Sequence, residues 1–235
     1  MPEVDATPAL RAAARFGPYF IWEPYEGGDG WRPYGDLLEP DVIGERVEVA
    51  RDVLVRMANL DRDAIEERVV ASVTFLGLAS RLLSPVLGAA VAGGALPVAD
   101  PAKLWWRPVA GGPIPFAQRG LQAVEAGGAL SLELVEPLLE AFRRRFALSG
   151  RVLWGNVASA LGGAAGMIAN AGAAAGPAPA GRAAEIVAAT LDLPPLRGMA
   201  SWKRPGVLAR NNCCLYYRIP GGGICGDCVL ARVRG

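Results

Sequence analysis

The stretch NNCCLYYRIPGGGICGDC, residues 211–228, contains all four cysteines of this 235-residue chain. Their spacing is C-C-x10-C-x2-C, so Cys213 and Cys214 are adjacent and two residues separate Cys225 from Cys228. A C-x2-C turn can direct two thiolates at one metal ion, because two intervening residues, one of them glycine, let the chain curl around the sulfurs. The stretch therefore predicts a metal or redox site near the carboxyl end of the sequence.

The adjacent pair Cys213 and Cys214 is unusual for a metal site. Successive side chains on an extended strand point to opposite faces, so both thiols can reach one site only where the backbone bends. A structural zinc ribbon uses two C-x2-C pairs instead. The glycines at 221–223 follow Pro220 and allow a sharp turn between the two cysteine pairs.

Composition narrows the chemistry of the site. The chain contains no histidine, which excludes Ser-His-Asp and Cys-His catalysis, histidine-containing zinc sites and Rieske-type clusters. The amino terminus, MPEVDATPAL, is acidic where a secretory signal carries positive charge, so we expect a cytoplasmic protein with reduced thiols. Under those conditions clustered cysteines more often bind metal than form disulfides.

Charge is distributed unevenly, although the net charge of the whole chain is only +1. Residues 201–235 contain six basic residues and a single acidic one, Asp227. The basic end is either part of the predicted site or a solvated surface. The low overall charge does not indicate nucleic-acid or membrane binding.

The rest of the sequence predicts a mainly α fold, or α+β with a minor β-hairpin. Apolar residues recur at helical spacing in five segments, with Pro85 expected to end the second. These segments are residues 41–60, 61–84, 132–147, 152–170 and 182–192. Residues 104–116 predict a hairpin, which the prolines at 108, 113 and 115 should restrict to a sheet edge.

Two uncharged runs, residues 82–99 and 152–181, raise the question of membrane insertion. Proline and glycine interrupt the first, and alanine and glycine dominate the second, so neither gains much transfer free energy. We predict core helices and no transmembrane segment. The predicted organisation is a helical body over 1–200, containing the substrate-binding part, and a small metal-binding module over 201–235.

The cysteine stretch resembles the carboxyl-terminal signature of the FhuF-like ferric siderophore reductases. The shared features are CC, ten residues that include YR and P, and then CGDC; the run RVLWGNVASAL at 151–161 is also similar to a segment that precedes this signature. The resemblance implies that Cys213, Cys214, Cys225 and Cys228 hold a 2Fe-2S cluster. It carries over no other residue.

The resemblance also implies an oxidoreductase that passes one electron to a ferric siderophore and releases ferrous iron. The expected electron donor is a ferredoxin or a flavin reductase, and contact with a siderophore transporter at the membrane is left open. A cluster gains negative charge on reduction, so nearby cations favour its reduced form. Four basic residues are therefore predicted to tune the potential or contact the chelate, with a solvated surface as the alternative: Lys203, Arg204, Arg210 and Arg218.

Two other functions remain open at this point. One is a 2Fe-2S electron carrier that serves a different acceptor. The other, from a different class, is a structural zinc-binding module for protein or nucleic-acid interaction. Iron, acid-labile sulfide and visible absorption distinguish a cluster from zinc.

Overall fold

The computed structural model describes residues 4–171, 177–204 and 207–232, without the side chains of Arg204 and Arg232. Within these ranges the chain forms six α-helices, separated by short strands and 3-10 turns. The helices are α1 Thr7–Ala13, α2 Pro40–Ala58, α3 Glu67–Gly93, α4 Val135–Phe146, α5 Gly150–Ala171 and α6 Ala178–Leu191. The predicted mainly α class with a minor β part is confirmed.

Nine short strands form three small sheets in the described part of the chain. The strands are β1 Val4–Asp5, β2 Glu23–Pro24, β3 Arg32–Pro33, β4 Ala95–Pro97, β5 Leu104–Trp106, β6 Phe116–Gln118, β7 Gln122–Glu125, β8 Ala200–Arg204 and β9 Val207–Arg210. The first sheet has the order β1-β7-β4, the second β2-β6-β5-β3, and the third is the antiparallel pair β8-β9.

The predicted hairpin is present, since β5 pairs antiparallel with β6 and Trp106 lies opposite Phe116. Its expected place at a sheet edge was wrong, because β5 and β6 are the two inner strands of their sheet. The prolines at 108, 113 and 115 lie in the loop between the strands. They therefore remove no N–H group from the sheet.

Helix α3 lies at the centre of the fold and packs against α1, α2, α4, α5 and α6. Among the described helices, α3 and α5 are long and apolar enough to cross a membrane, but most of each apolar window is buried inside the protein, 72% for α3 and 56% for α5. Each helix buries apolar side chains against its neighbours. This packing agrees with the core role predicted for both.

The expected end of the second helix at Pro85 was wrong, because α3 continues to Gly93. A proline inside a helix lacks the N–H group that would bond the carbonyl four residues earlier, which here belongs to Arg81. The indole Nε1 of Trp22 donates to that carbonyl at 3.0 Å. Since Trp22 and Pro85 are both buried, the freed acceptor is satisfied inside the core and the helix persists.

The hairpin β8-β9 lies against α5 and leads directly into the cysteine stretch. Gly162 on α5 allows this close approach, because a Cβ atom there would lie 2.9 Å from Cβ of Leu208 on β9. The cysteine segment thus begins on a strand that is packed against the central helices. The division into a body over 1–200 and a module over 201–235 stays a prediction.

Candidate metal centre

The structure brings cysteines from the two ends of the stretch together. The Sγ atoms of Cys214 and Cys225 are 3.4 Å apart. Cys214 and Cys228 are buried, each with 2% of its surface exposed, whereas Cys213 and Cys225 are half-buried. Two of the four free thiols are therefore shielded from solvent, and the other two remain partly accessible.

A local bend explains how adjacent cysteines serve one site. Leu215 has a φ of 71°, in the left-handed region, and its N–H donates to Sγ of Cys213 at 3.3 Å. Around the second pair, the N–H of Cys228 donates to the carbonyl of Cys225 at 3.1 Å, and the N–H of Leu230 donates to Sγ of Cys228 at 3.4 Å. The chain thus directs backbone amides at sulfurs of both cysteine pairs.

The thiols differ in acidity. Cys214 and Cys225 share one proton between their sulfurs, and this hydrogen bond lowers the pKa of Cys214 to about 6 and raises the pKa of Cys225. Burial raises the pKa of Cys213, although the amide of Leu215 opposes the effect. A separation of 3.4 Å brings these two sulfurs close enough to bind one metal ion.

A buried polar network connects the cysteine stretch to helices α3 and α5. Ser72 Oγ on α3 donates to the carbonyl of Cys214 at 2.8 Å, and Asn156 Nδ2 on α5 donates to Ser72 Oγ at 3.0 Å and to the carbonyl of Ser72 at 2.9 Å. Asn156 Oδ1 in turn accepts from Arg210 Nη2 at 2.7 Å. Ser72, Asn156 and Arg210 are all fully buried.

A second contact fixes the residue just before the cysteines. Asn212 Nδ2 donates to the carbonyl of Arg151 in the first turn of α5 at 2.6 Å, and Asn212 Oδ1 accepts from Arg210 Nη2 at 3.1 Å. Gly155 makes room for this side chain, since a Cβ at that position would lie 1.9 Å from Asn212 Oδ1. The run 151–161 therefore supports the site with its backbone, a glycine and Asn156.

The structure describes the side chains of three of the four basic residues predicted near the site, and they lie in different environments. Arg210 is fully buried, three residues before Cys213. Arg218 is partly exposed and its Nη1 forms an ion pair with Glu66 Oε2 at 3.0 Å, directed at helix α3. Lys203 is exposed on β8, and the side chain of Arg204 lies outside the described residues. Their predicted roles in potential tuning or substrate contact stay predictions.

Sequence reasoning missed Ser72, Asn156 and Gly155. Ser72 gave no signal, since a small polar residue in an apolar helix fits many roles. Asn156 and Gly155 lie in the run RVLWGNVASAL, and the similarity of this run to a segment before the cysteine signature assigns no role to either residue. Their contacts depend on how α3, α5 and β9 pack, which helical periodicity alone does not specify.

The residues present fit a thiolate-bound cluster. A 2Fe-2S cluster takes four cysteine thiolates, shared between two irons, and its potential depends on hydrogen bonds to sulfur. The stretch offers four thiols, with N–H···S contacts to Cys213 and Cys228. Arg210 Nη1 is buried and has no hydrogen-bond partner among the described residues, as expected for a donor beside an anionic group. Within the described ranges, no three Cys, Asp or Glu side chains form a group that could hold one metal ion. A 2Fe-2S cluster does not require such a group, because its four thiolates are shared between two irons.

Residues 210–230 match the family profile of the FhuF 2Fe-2S C-terminal domain. The match begins at Arg210 and includes all four cysteines, so the resemblance seen in the sequence is confirmed over this segment, and the cofactor is a 2Fe-2S cluster. The cysteines are its predicted ligands. No curated protein matches the chain.

Proposed function

We propose that this protein is a ferric siderophore reductase, which transfers one electron to a ferric chelate and releases ferrous iron. The observation that carries the proposal is the match of residues 210–230 to the FhuF 2Fe-2S C-terminal domain. The approach of Cys214 Sγ to within 3.4 Å of Cys225 Sγ, which joins the two cysteine pairs, supports it.

The chemistry requires one electron and no acid, base or nucleophile. Siderophore oxygens hold ferric iron as hard donors, and loss of one unit of metal charge weakens each of those contacts. When bound, the cluster supplies this single electron. A ferredoxin or flavin reductase replaces it, and the chelating oxygens that leave the iron take up protons from water. The proposal places this cycle in the cytoplasm.

The outer side of the cysteine stretch offers a surface for the substrate. Tyr217 is 47% exposed and Ile224 is 41% exposed, and both line an open groove of about 480 Å³ together with Pro220 and Leu230. Ile224 directly precedes the half-buried Cys225. An apolar groove beside the half-buried Cys225 suits the organic backbone of a ferric chelate and lets its iron approach the cluster. Such an approach supports outer-sphere electron transfer.

A single-turnover experiment tests the proposal. The holoprotein is reduced chemically without oxygen and mixed with a ferric hydroxamate in the presence of a ferrous-specific chelator. We expect the cluster to reoxidise while about one ferrous ion is captured per cluster. The gallium form of the same siderophore is the matched control, because it has the charge and shape of the ferric form but does not accept the electron.

Two results would contradict the proposal. One is reoxidation without any captured ferrous iron. The other is failure to reoxidise with hydroxamate, catecholate and carboxylate ferric chelates, combined with rapid electron exchange with a ferredoxin. The second result would instead identify a 2Fe-2S carrier that serves a different acceptor.

A further inference from the structure

Arg210 is a buried cation without a carboxylate partner among the described residues. Its side chain is completely inaccessible to solvent. Nη2 donates to Asn156 Oδ1 at 2.7 Å, and Nε and Nη2 donate to Asn212 Oδ1 at 3.3 and 3.1 Å. Nη1 is buried, and no hydrogen-bond partner for it lies in the part of the chain that the structure describes. A buried charge is costly unless it is paired, so this arrangement needs a negative group to balance it.

Hydrogen bonds place this cation beside the cysteine stretch. Asn212, which accepts from Arg210, directly precedes Cys213. Asn156, which also accepts from Arg210, donates to the Ser72 hydroxyl that bonds the carbonyl of Cys214. The N–H of Arg210 also donates to the carbonyl of Asp227 at 3.2 Å, which joins the cation to the second cysteine pair. Thiolates that hold a cluster would supply the missing negative charge.

We propose that Arg210 is the residue that sets the reduction potential, because its fixed cation is buried next to the segment that carries Cys213 and Cys214 and favours the reduced form of the protein. The proposal rests on the cluster assigned to this segment and deepens the proposed function. Ser72 orients Asn156, and Asn156 and Asn212 orient the guanidinium. They act as positioning residues.

Arg218 lacks the features that give Arg210 this role. Its Nη1 is paired with Glu66 Oε2 at 3.0 Å, and its side chain is 38% exposed. Solvent and the carboxylate both screen its charge. In the dry surroundings of Arg210 the effective dielectric constant is lower, so the same unit charge acts more strongly on the thiolates.

Spectroelectrochemistry on fully loaded Arg210→Gln and Arg218→Gln proteins tests the proposal. Each variant removes one positive charge from the same stretch, so Arg218→Gln is the matched control. We expect Arg210→Gln to lower the equilibrium constant for reduction at least tenfold, which is about 59 mV for a one-electron couple. We expect Arg218→Gln to change it less than threefold. Equal shifts in the two variants, or no shift in Arg210→Gln, would overturn the proposal.

Arg210→Lys separates charge from structure and is measured beside the other two variants. The proposal predicts that it binds the cluster and keeps the equilibrium constant within about threefold of the unchanged protein. If Arg210→Gln binds no cluster while Arg210→Lys does so at the unchanged potential, the charge is essential and the proposal stands. If neither variant binds a cluster, and both apoproteins unfold at equally lowered temperatures, Arg210 is only structural and the proposal fails. None of these measurements requires a siderophore.

Discussion

Ser72 donates a hydrogen bond of 2.8 Å to the carbonyl of Cys214, although 142 residues separate them in the chain. Both residues are buried, and Asn156 on α5 donates to the same serine hydroxyl. The inner cysteine is thereby fixed to the two central helices. Because the anchoring groups lie in the helical body, mutations far from residues 211–228 should change the site.

Ser72→Ala tests this anchor. The change leaves the carbonyl of Cys214 without its donor and takes one acceptor from Asn156, so we expect a loss of about 1–3 kcal/mol in the free energy of unfolding. The holoprotein should also release its cluster faster during incubation with a chelator. Urea unfolding of the apoprotein and the decay of visible absorption measure the two effects.

Ser80→Ala is the matched control for Ser72→Ala. Ser80 Oγ donates within the same helix to the carbonyl of Leu76, and this hydrogen bond does not involve the cysteine stretch. We expect a smaller change in stability and no change in the rate of cluster loss. If the two variants lose clusters at the same rate, Ser72 does not anchor Cys214.

Gly155→Ala tests the close contact between α5 and the cysteine stretch. The new Cβ would lie 1.9 Å from Asn212 Oδ1, so Asn212 has to leave its hydrogen bonds with Arg210 and Arg151. Overpacking of this kind typically lowers the free energy of unfolding by about 1–3 kcal/mol. We therefore expect lower thermal stability together with a lower cluster content.

Gly163→Ala provides the comparison on the same helix. A Cβ at this exposed position meets nothing within 4 Å. Alanine is a better helix former than glycine, so the free energy of unfolding of this variant should rise by up to about 1 kcal/mol. The variant should keep its cluster. Equal behaviour of the two alanine variants would show that Gly155 provides no necessary space.

The contact between Trp22 and the carbonyl of Arg81 gives a coupled prediction. Trp22→Phe leaves the buried carbonyl of Arg81 unpaired, which should lower the free energy of unfolding by about 1–3 kcal/mol, in addition to the effect of lost packing. In a Pro85→Ala background the N–H of residue 85 can bond that carbonyl, so the same Trp22→Phe change should cost less. A double-mutant cycle measured by urea unfolding checks this. Strict additivity of the two changes would contradict the account of why α3 passes through Pro85.

Much of the fold followed from sequence patterns that report local structure. The segments 41–60, 132–147 and 152–170 were predicted as helices from apolar spacing, and Leu104–Trp106 and Phe116–Gln118 pair as the predicted hairpin. The course of α3 through Pro85 was not predictable, because the compensating donor, Trp22, is remote in the chain. A local pattern cannot report a partner that only tertiary packing supplies.

The sequence predicts the four cysteines as the site residues, but it does not indicate their supporting residues. The spacing C-C-x10-C-x2-C is unusual enough to identify Cys213, Cys214, Cys225 and Cys228 as one group. Arg210 and Arg218 look equivalent in the sequence, since both are cations close to cysteines. The structure distinguishes the two arginines by burial. Arg210, at the end of β9, is enclosed beside α5, whereas Arg218 pairs with Glu66 at the surface.

Chemical analysis of the protein purified without oxygen tests the central claim most directly. Four thiolate ligands predict a red-brown protein with about two irons and two acid-labile sulfides per chain. Replacement of Cys214 or Cys228, the two buried cysteines, by serine should abolish the visible absorption. One zinc per chain, with no sulfide and no visible absorption, would contradict both the cluster and the proposed reductase.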